Sequence, residues 1–283
     1  MINLDSKCII VIAAILLTLT FADGCANSKP GNAPGKQGEK PPGEEERVQK
    51  PKKMDCAEGL KLWEEILAKY VDEKGLVDYP GIKESKEDAK KLRTYIGCLE
   101  AVDPEKLNSR KEKLAFWINC YNAVTINGVL QHYPVDTVKE VKDFWHITVV
   151  RVGDKEYSLG TIENSVLRSL AEPRMHWAIV RASKSSAALL NEPYDASKLE
   201  EQLAGQEKEL LVGRKQVYVD KKRKKLMLSP FFYWYGEDFI KKSGTKLEYV
   251  KKYLSEEDLD FIEDYPLSMG YIKPDWSLNK QEK

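Results

Sequence analysis

After Asp55, the apolar residues Ala57, Leu60, Trp63, Ile66, Leu67 and Tyr70 recur at helical spacing, which predicts a helix to about Val71 with one buried face. The Asp55 side chain can accept from the free N–H groups of its first turn. Gly75 and Pro80 punctuate a turn, and Ser85 opens a second helix with Ala89, Leu92, Tyr95, Ile96 and Leu99 as its apolar positions. These two helices are expected to pack together. Ser109 and Glu112 make a capping box for a third helix, which ends near His132, Tyr133 and Pro134 and is apolar almost all round from 114 to 124. Such a helix belongs at the centre of a domain, where Asn119 and Asn122 need hydrogen-bond partners or cost about 1–3 kcal/mol each.

The second half reads in shorter pieces. Residues 147–152, the turn Gly153-Asp154 and residues 155–157 predict a hairpin, after which Ser158 can cap a helix through Leu170. The run 176–180 predicts a buried strand, and 197–211 a polar helix. Residues 217–219 and 226–228 form a second hairpin around the basic cluster Lys221, Lys222, Arg223, Lys224 and Lys225, read as a solvated turn with contact to anionic lipid or envelope polymer as its functional alternative. Pro230 then leads into the aromatic run Phe231, Phe232, Tyr233, Trp234 and Tyr235, read as core packing, with a carbohydrate-stacking platform as its functional alternative. Helices outnumber strands, so the fold class is α+β: a single helix-rich domain over 54–283 with a small antiparallel sheet.

Residues 1–24 do not fit that domain. An apolar run of 8–22 is too short for a spanning helix and reads as a signal peptide. Small residues at Ala22 and Gly24 precede Cys25, and the segment resembles a bacterial lipoprotein signal in which Cys25 is lipidated. Residues 25–53 shift to Pro, Gly, Lys and Glu, the composition of a flexible tether. The expected location is therefore the cell envelope, with the lipid bilayer as a partner. Equal numbers of basic and acidic residues, 45 of each, remove the electrostatic argument for nucleic acid. Cys56, Cys98 and Cys120 remain in the domain. An oxidising compartment would permit Cys56 to pair with Cys98, and three buried thiols fit equally.

The segment 173–188 concentrates the candidate chemistry, with Arg174 and His176 before the small polar loop that holds Lys184, Ser185 and Ser186. Phe116-Trp117-Ile118-Asn119 with Tyr121-Asn122-Ala123, then His132-Tyr133-Pro134, Ile162-Glu163 with Leu167-Arg168, and Pro173-Arg174 with His176 follow in order, and Asp275-Trp276-Ser277-Leu278-Asn279 closes the series. These blocks resemble the domain of unknown function 547 family. The resemblance implies a pocket rather than a named activity. Many members carry Cys-Gly-Ala-Lys-Ser-Cys-Pro-Pro after the histidine, which aligns without gaps onto Arg181 to Ala188. Arg181 and Ser186 stand where the cysteines would be, while Lys184 and Ser185 are kept. A thiolate is nucleophilic near neutral pH and a serine hydroxyl needs a base, so any thiol chemistry of the family is expected to be absent.

Two readings follow. One is a binding or scaffolding pocket around His176, Glu163, Asn119, Asn122, Arg174, Lys184 and Ser185, for an unknown small molecule or envelope partner. The other is a hydrolase or transferase on peptide or cell-wall material, with Ser186 or Ser185 as nucleophile, His176 as base, Glu163 orienting the imidazole and Asn119 at an oxyanion. His132, His146 and His176 share no ligand spacing, so neither a metal nor a cofactor is expected.

Overall fold

A computed structural model of the chain describes residues 55–282. The expected signal peptide, the expected lipidation site Cys25 and the whole tether lie outside the described residues. Among the described residues no helix is long and apolar enough to cross a membrane.

Helix α1 (Cys56–Tyr70) starts where Asp55 accepts from the Ala57 amide, and α3 (Lys86–Cys98) starts where Ser85 accepts from that of Asp88. The two pack together as expected, with Trp63 and Tyr95 stacked at 5.9 Å. The short α2 (Tyr79–Glu84) between them, with Pro80 in its first turn, was hidden by the turn signals around it. Helix α4 (Arg110–His132) runs through the centre and buries residues on every side, including Asn119 and Asn122. Ser109 accepts from the Glu112 amide, while the Glu112 carboxylate reaches back to the Asn108 amide, one residue before the usual partner.

After α5 (Phe144–Ile147), strands β1 (Val149–Val152) and β2 (Lys155–Ser158) pair antiparallel across Gly153. Ser158 caps the next helix, but that helix changes pitch. An α-helical turn α6 (Leu159–Thr161) passes into a π-helical turn (Ile162–Leu167) and then a 3-10 turn (Arg168–Leu170). Helix α7 (Leu199–Lys208) follows an irregular stretch. Strands β3 (Val217–Asp220) and β4 (Lys225–Leu228) form the second hairpin. The chain continues through α8 (Phe231–Trp234), α9 (Gly236–Ser243), α10 (Lys246–Val250) and α11 (Glu256–Asp264), and β5 (Ser268–Tyr271) joins β4 in parallel. The described domain is therefore mostly helical, with two small sheets, one of them mixed.

The run 176–180 is not a strand. Residues Pro173–Trp177 form a 3-10 turn capped by Glu172, and the residues after it are buried without a ladder partner. Periodicity cannot separate a short buried strand from buried irregular chain. The turn lies at a seam, since Met175 and Ala178 pack into the cluster around α1, α3 and α4, whereas Trp177 packs with Phe231, Phe232 and Phe239. At the tip of the second hairpin Lys221 pairs with Glu257 and Asp258 of α11, and Arg223 with Asp220, so part of the basic cluster is neutralised within the fold.

Candidate functional site

Glu163 sits in the π-helical turn, an irregularity that recurs at functional sites because it re-aims one side chain. Its carboxylate is buried and accepts from Arg181 at 2.7 Å and from the Tyr121 hydroxyl at 3.3 Å. Burial pushes the Glu163 pKa up, but the Arg181 charge and hydrogen bond outweigh it and hold the carboxyl below its ordinary value. Arg181 is itself buried, with its guanidinium over the Phe231 ring at 4.6 Å. Tyr235 closes the group, and burial raises its hydroxyl pKa to about 12 against the opposing Arg181 charge.

His176 is fully buried and lies face to face with Tyr235, ring centroids 4.2 Å apart. Its Nε2 meets Asp238 at 2.9 Å and its Nδ1 lies 3.4 Å from an Arg181 nitrogen. Burial lowers the His176 pKa more than the Asp238 bond raises it, which favours the neutral ring. Asp238 also takes a two-pronged contact from Arg168, and the His176 and Arg168 bonds overcome burial to keep it strongly acidic.

Of these groups Glu163, Arg181 and Tyr235 border a cleft of about 430 Å³, within the range of small-molecule sites, while His176, Asp238 and Arg168 line a separate cavity behind them. Glu163 and Arg181 form its buried floor, while Trp145, Trp234, Trp276 and Tyr235 supply aromatic walls. Trp276 meets Trp145 at 6.0 Å and Trp234 at 5.8 Å, so the tryptophans form a continuous rim. Ser158, Thr161, Asn164 and Ser165 add polar groups from α6 and its neighbours. Two buried donors among the lining residues, Trp145 Nε1 and Arg181 Nε, have no protein acceptor.

The residues expected at a site divide in two. His176 and Glu163 come together, joined by the loop residue Arg181, which the sequence marked only as a replaced cysteine. The acidic partner of His176 is Asp238, and Arg181 stands between His176 and Glu163, so Glu163 does not orient the imidazole. Ser186 is buried and its hydroxyl donates to the Ser183 carbonyl at 2.9 Å, while Ser185 accepts from the Asp275 amide. Neither serine is bonded to His176. Asn119 brackets the Tyr194 backbone and Asn122 brackets Ala178 and Val180, so both spend their amides inside the fold. Arg174 pairs with Glu172 and Glu200, and Lys184 with Glu282. Sequence reasoning missed Arg181, Asp238 and the tryptophan rim. The hints of the rim were the aromatic run 231–235, of which Phe231 and Phe232 are core, Trp234 is rim and Tyr235 faces the cleft, and the closing motif that holds Trp276.

Residues 104–211 match the family model described as "Protein of unknown function, DUF547". They form a DUF547 family domain. No curated protein and no solved structure matches the chain. The DUF547 match contains α4, the Glu163 turn, His176 and Arg181, whereas Asp238 and the rim residues Trp234 and Trp276 lie C-terminal to it. Ala182 takes φ 53°, the left-handed region that favours glycine. Among the described residues no cluster of three or more His, Cys, Asp or Glu could hold a metal ion.

Proposed function

We propose that the domain binds a neutral, ring-shaped polar ligand, a sugar unit of an envelope glycan, in the tryptophan-rimmed cleft, and that the exported chain is held at the membrane by lipid on Cys25. The convergence of Trp145, Trp234, Trp276 and Tyr235 over the Glu163–Arg181 floor carries the reading. Aromatic rings offer flat apolar faces, which suit a ring whose faces are C–H and whose edge is hydroxyl. Glu163 is balanced by Arg181, and Asp238 by Arg168, so the site has no net charge to hold a phosphate or polyanion. Ser158, Thr161, Asn164 and Ser165 line the same cleft and offer hydroxyl and amide groups to a hydroxyl-rich ligand.

Binding is favoured over hydrolysis by a serine because that chemistry needs a nucleophile bonded to its base. The Ser186 proton goes to a backbone carbonyl, and both His176 nitrogens face Asp238 or Arg181. The envelope part rests on the apolar run 8–22 and on Cys25.

The test is a titration of tryptophan emission with the tetrasaccharide of N-acetylglucosamine. Wild type is expected to saturate, Trp276→Ala and Trp234→Ala to bind at least about tenfold more weakly, a loss of about 1.4 kcal/mol or more. Inorganic phosphate is expected to leave the emission unchanged. A response that survives both rim substitutions contradicts the site, and labelling of Ser185 or Ser186 by a fluorophosphonate would restore the hydrolase. Radiolabelled palmitate entering wild type and Cys25→Ser equally would overturn the anchor.

A further inference from the structure

We propose that Cys56 and Cys98 are a disulfide-forming pair that staples the start of α1 to the end of α3. Their sulfurs lie 2.8 Å apart, inside the contact distance of two unbonded sulfur atoms and less than 1 Å from the covalent separation of about 2.05 Å. The approach is built into the helix packing. A side chain at Gly59, one turn along α1 from Cys56, would start 2.5 Å from the Cys98 sulfur, so glycine there is what lets α3 bring that sulfur in. Trp63 and Tyr95 stack nearly parallel in the same interface and fix the two helices against each other. The third described thiol, Cys120, is buried within α4 and has no sulfur partner among the described residues.

The roles of the two sulfurs differ. Cys56 is the first residue of α1 and is partly exposed, whereas Cys98 is buried. A hydrogen bond from Cys98 lowers the Cys56 pKa, against burial and the Asp55 charge, so Cys56 is the more readily ionised thiol of the pair. The co-reactant is a disulfide, such as oxidised glutathione or the disulfide of an oxidoreductase. The Cys56 thiolate attacks one of its sulfurs, forming a mixed disulfide and releasing the first thiolate. Cys98 then gives up its proton and attacks the Cys56 sulfur, expelling the second thiolate. Two thiols are oxidised, one external disulfide is reduced to two thiols, and the protons end on those products.

The cross-link needs only the fold, whereas its persistence in the cell rests on the export part of the proposed function. The full-length chain, folded and treated with oxidised glutathione, is alkylated and digested with trypsin without reduction. The expected product is the peptide 54–61 joined to 94–106, lighter by two hydrogen atoms than the two reduced peptides, and formed equally in Cys120→Ala. Oxidised protein is expected to melt roughly 5–15 °C above the reduced form, a shift absent from Cys56→Ser. Alkylation of both cysteines in the oxidised sample, or glutathione on Cys56 with Cys98 free, would overturn the pairing. A link that forms in vitro but is missing from protein isolated from cells upholds the pair and counts against export.

Discussion

Arg181 is the residue on which the site turns. A loop position that reads as the loss of a cysteine instead carries the guanidinium that neutralises Glu163 and faces His176. A charge buried in this way is tolerable only with its partner in place, so Arg181 and Glu163 act as one unit. His176 adds a pH dependence. Its folded pKa lies below the ordinary 6.5, so the unfolded chain takes up this proton at a higher pH than the folded one. The contribution is fully present above the unfolded value and is lost as pH falls towards the folded one. The urea midpoint is expected to drop between about pH 7.5 and pH 5.5, and His176→Gln to flatten that part of the curve. An unchanged slope in the variant would remove His176 as its source. The sequence exposed His176 and Glu163 as candidates, but it could not pair them with their true partners. Asp238 lies 62 residues from His176 and follows an aromatic run with no acidic signal of its own.

At the scale of elements, α4 organises the site from behind and reaches it through the Tyr121 hydroxyl on Glu163. Its apolar pattern and the need to satisfy two buried asparagines were both legible, because an amphipathic face was missing and polar amides cannot be buried unpaired. What they bond to was not legible. Asn122 accepts from the Val180 amide at 2.8 Å and donates to the Ala178 carbonyl at 3.0 Å, replacing the ladder that a strand would have supplied. This explains how 178–180 can be apolar, buried and irregular at once. Asn122→Ala leaves one buried N–H and one buried C=O without a partner and is expected to cost at least about 2 kcal/mol in urea unfolding. It should also weaken glycan binding by letting Arg181 shift. A variant as stable as wild type would show that water or a neighbouring group takes over both bonds.

The whole molecule places the rim through its C-terminal segment. The Lys184 amide bonds to the Ser277 carbonyl, the Ser185 amide to Asp275, the Leu278 amide to Asp136 and the Val77 amide to Asn279. The segment is therefore tied to the 181–188 loop, to the turn after α4 and to the strand-like stretch after α1, and Trp276 is held over the cleft between those ties. Residues 275–279 were recognisable as a motif, but not as a wall, since nothing local says that the segment returns to the loop. The helix-rich α+β class was legible from periodicity. The parallel β4–β5 pair was not, because the two strands are separated by α8 to α11. The central claim is that this cleft, assembled from distant segments, is a binding site for a neutral glycan. A crystal structure of the chain soaked with the N-acetylglucosamine tetrasaccharide tests it most directly. One sugar ring should lie against Trp276 or Trp234 with its hydroxyls reaching Glu163 and Arg181; a tetrasaccharide bound away from the cleft, or none at saturating concentration, would contradict it.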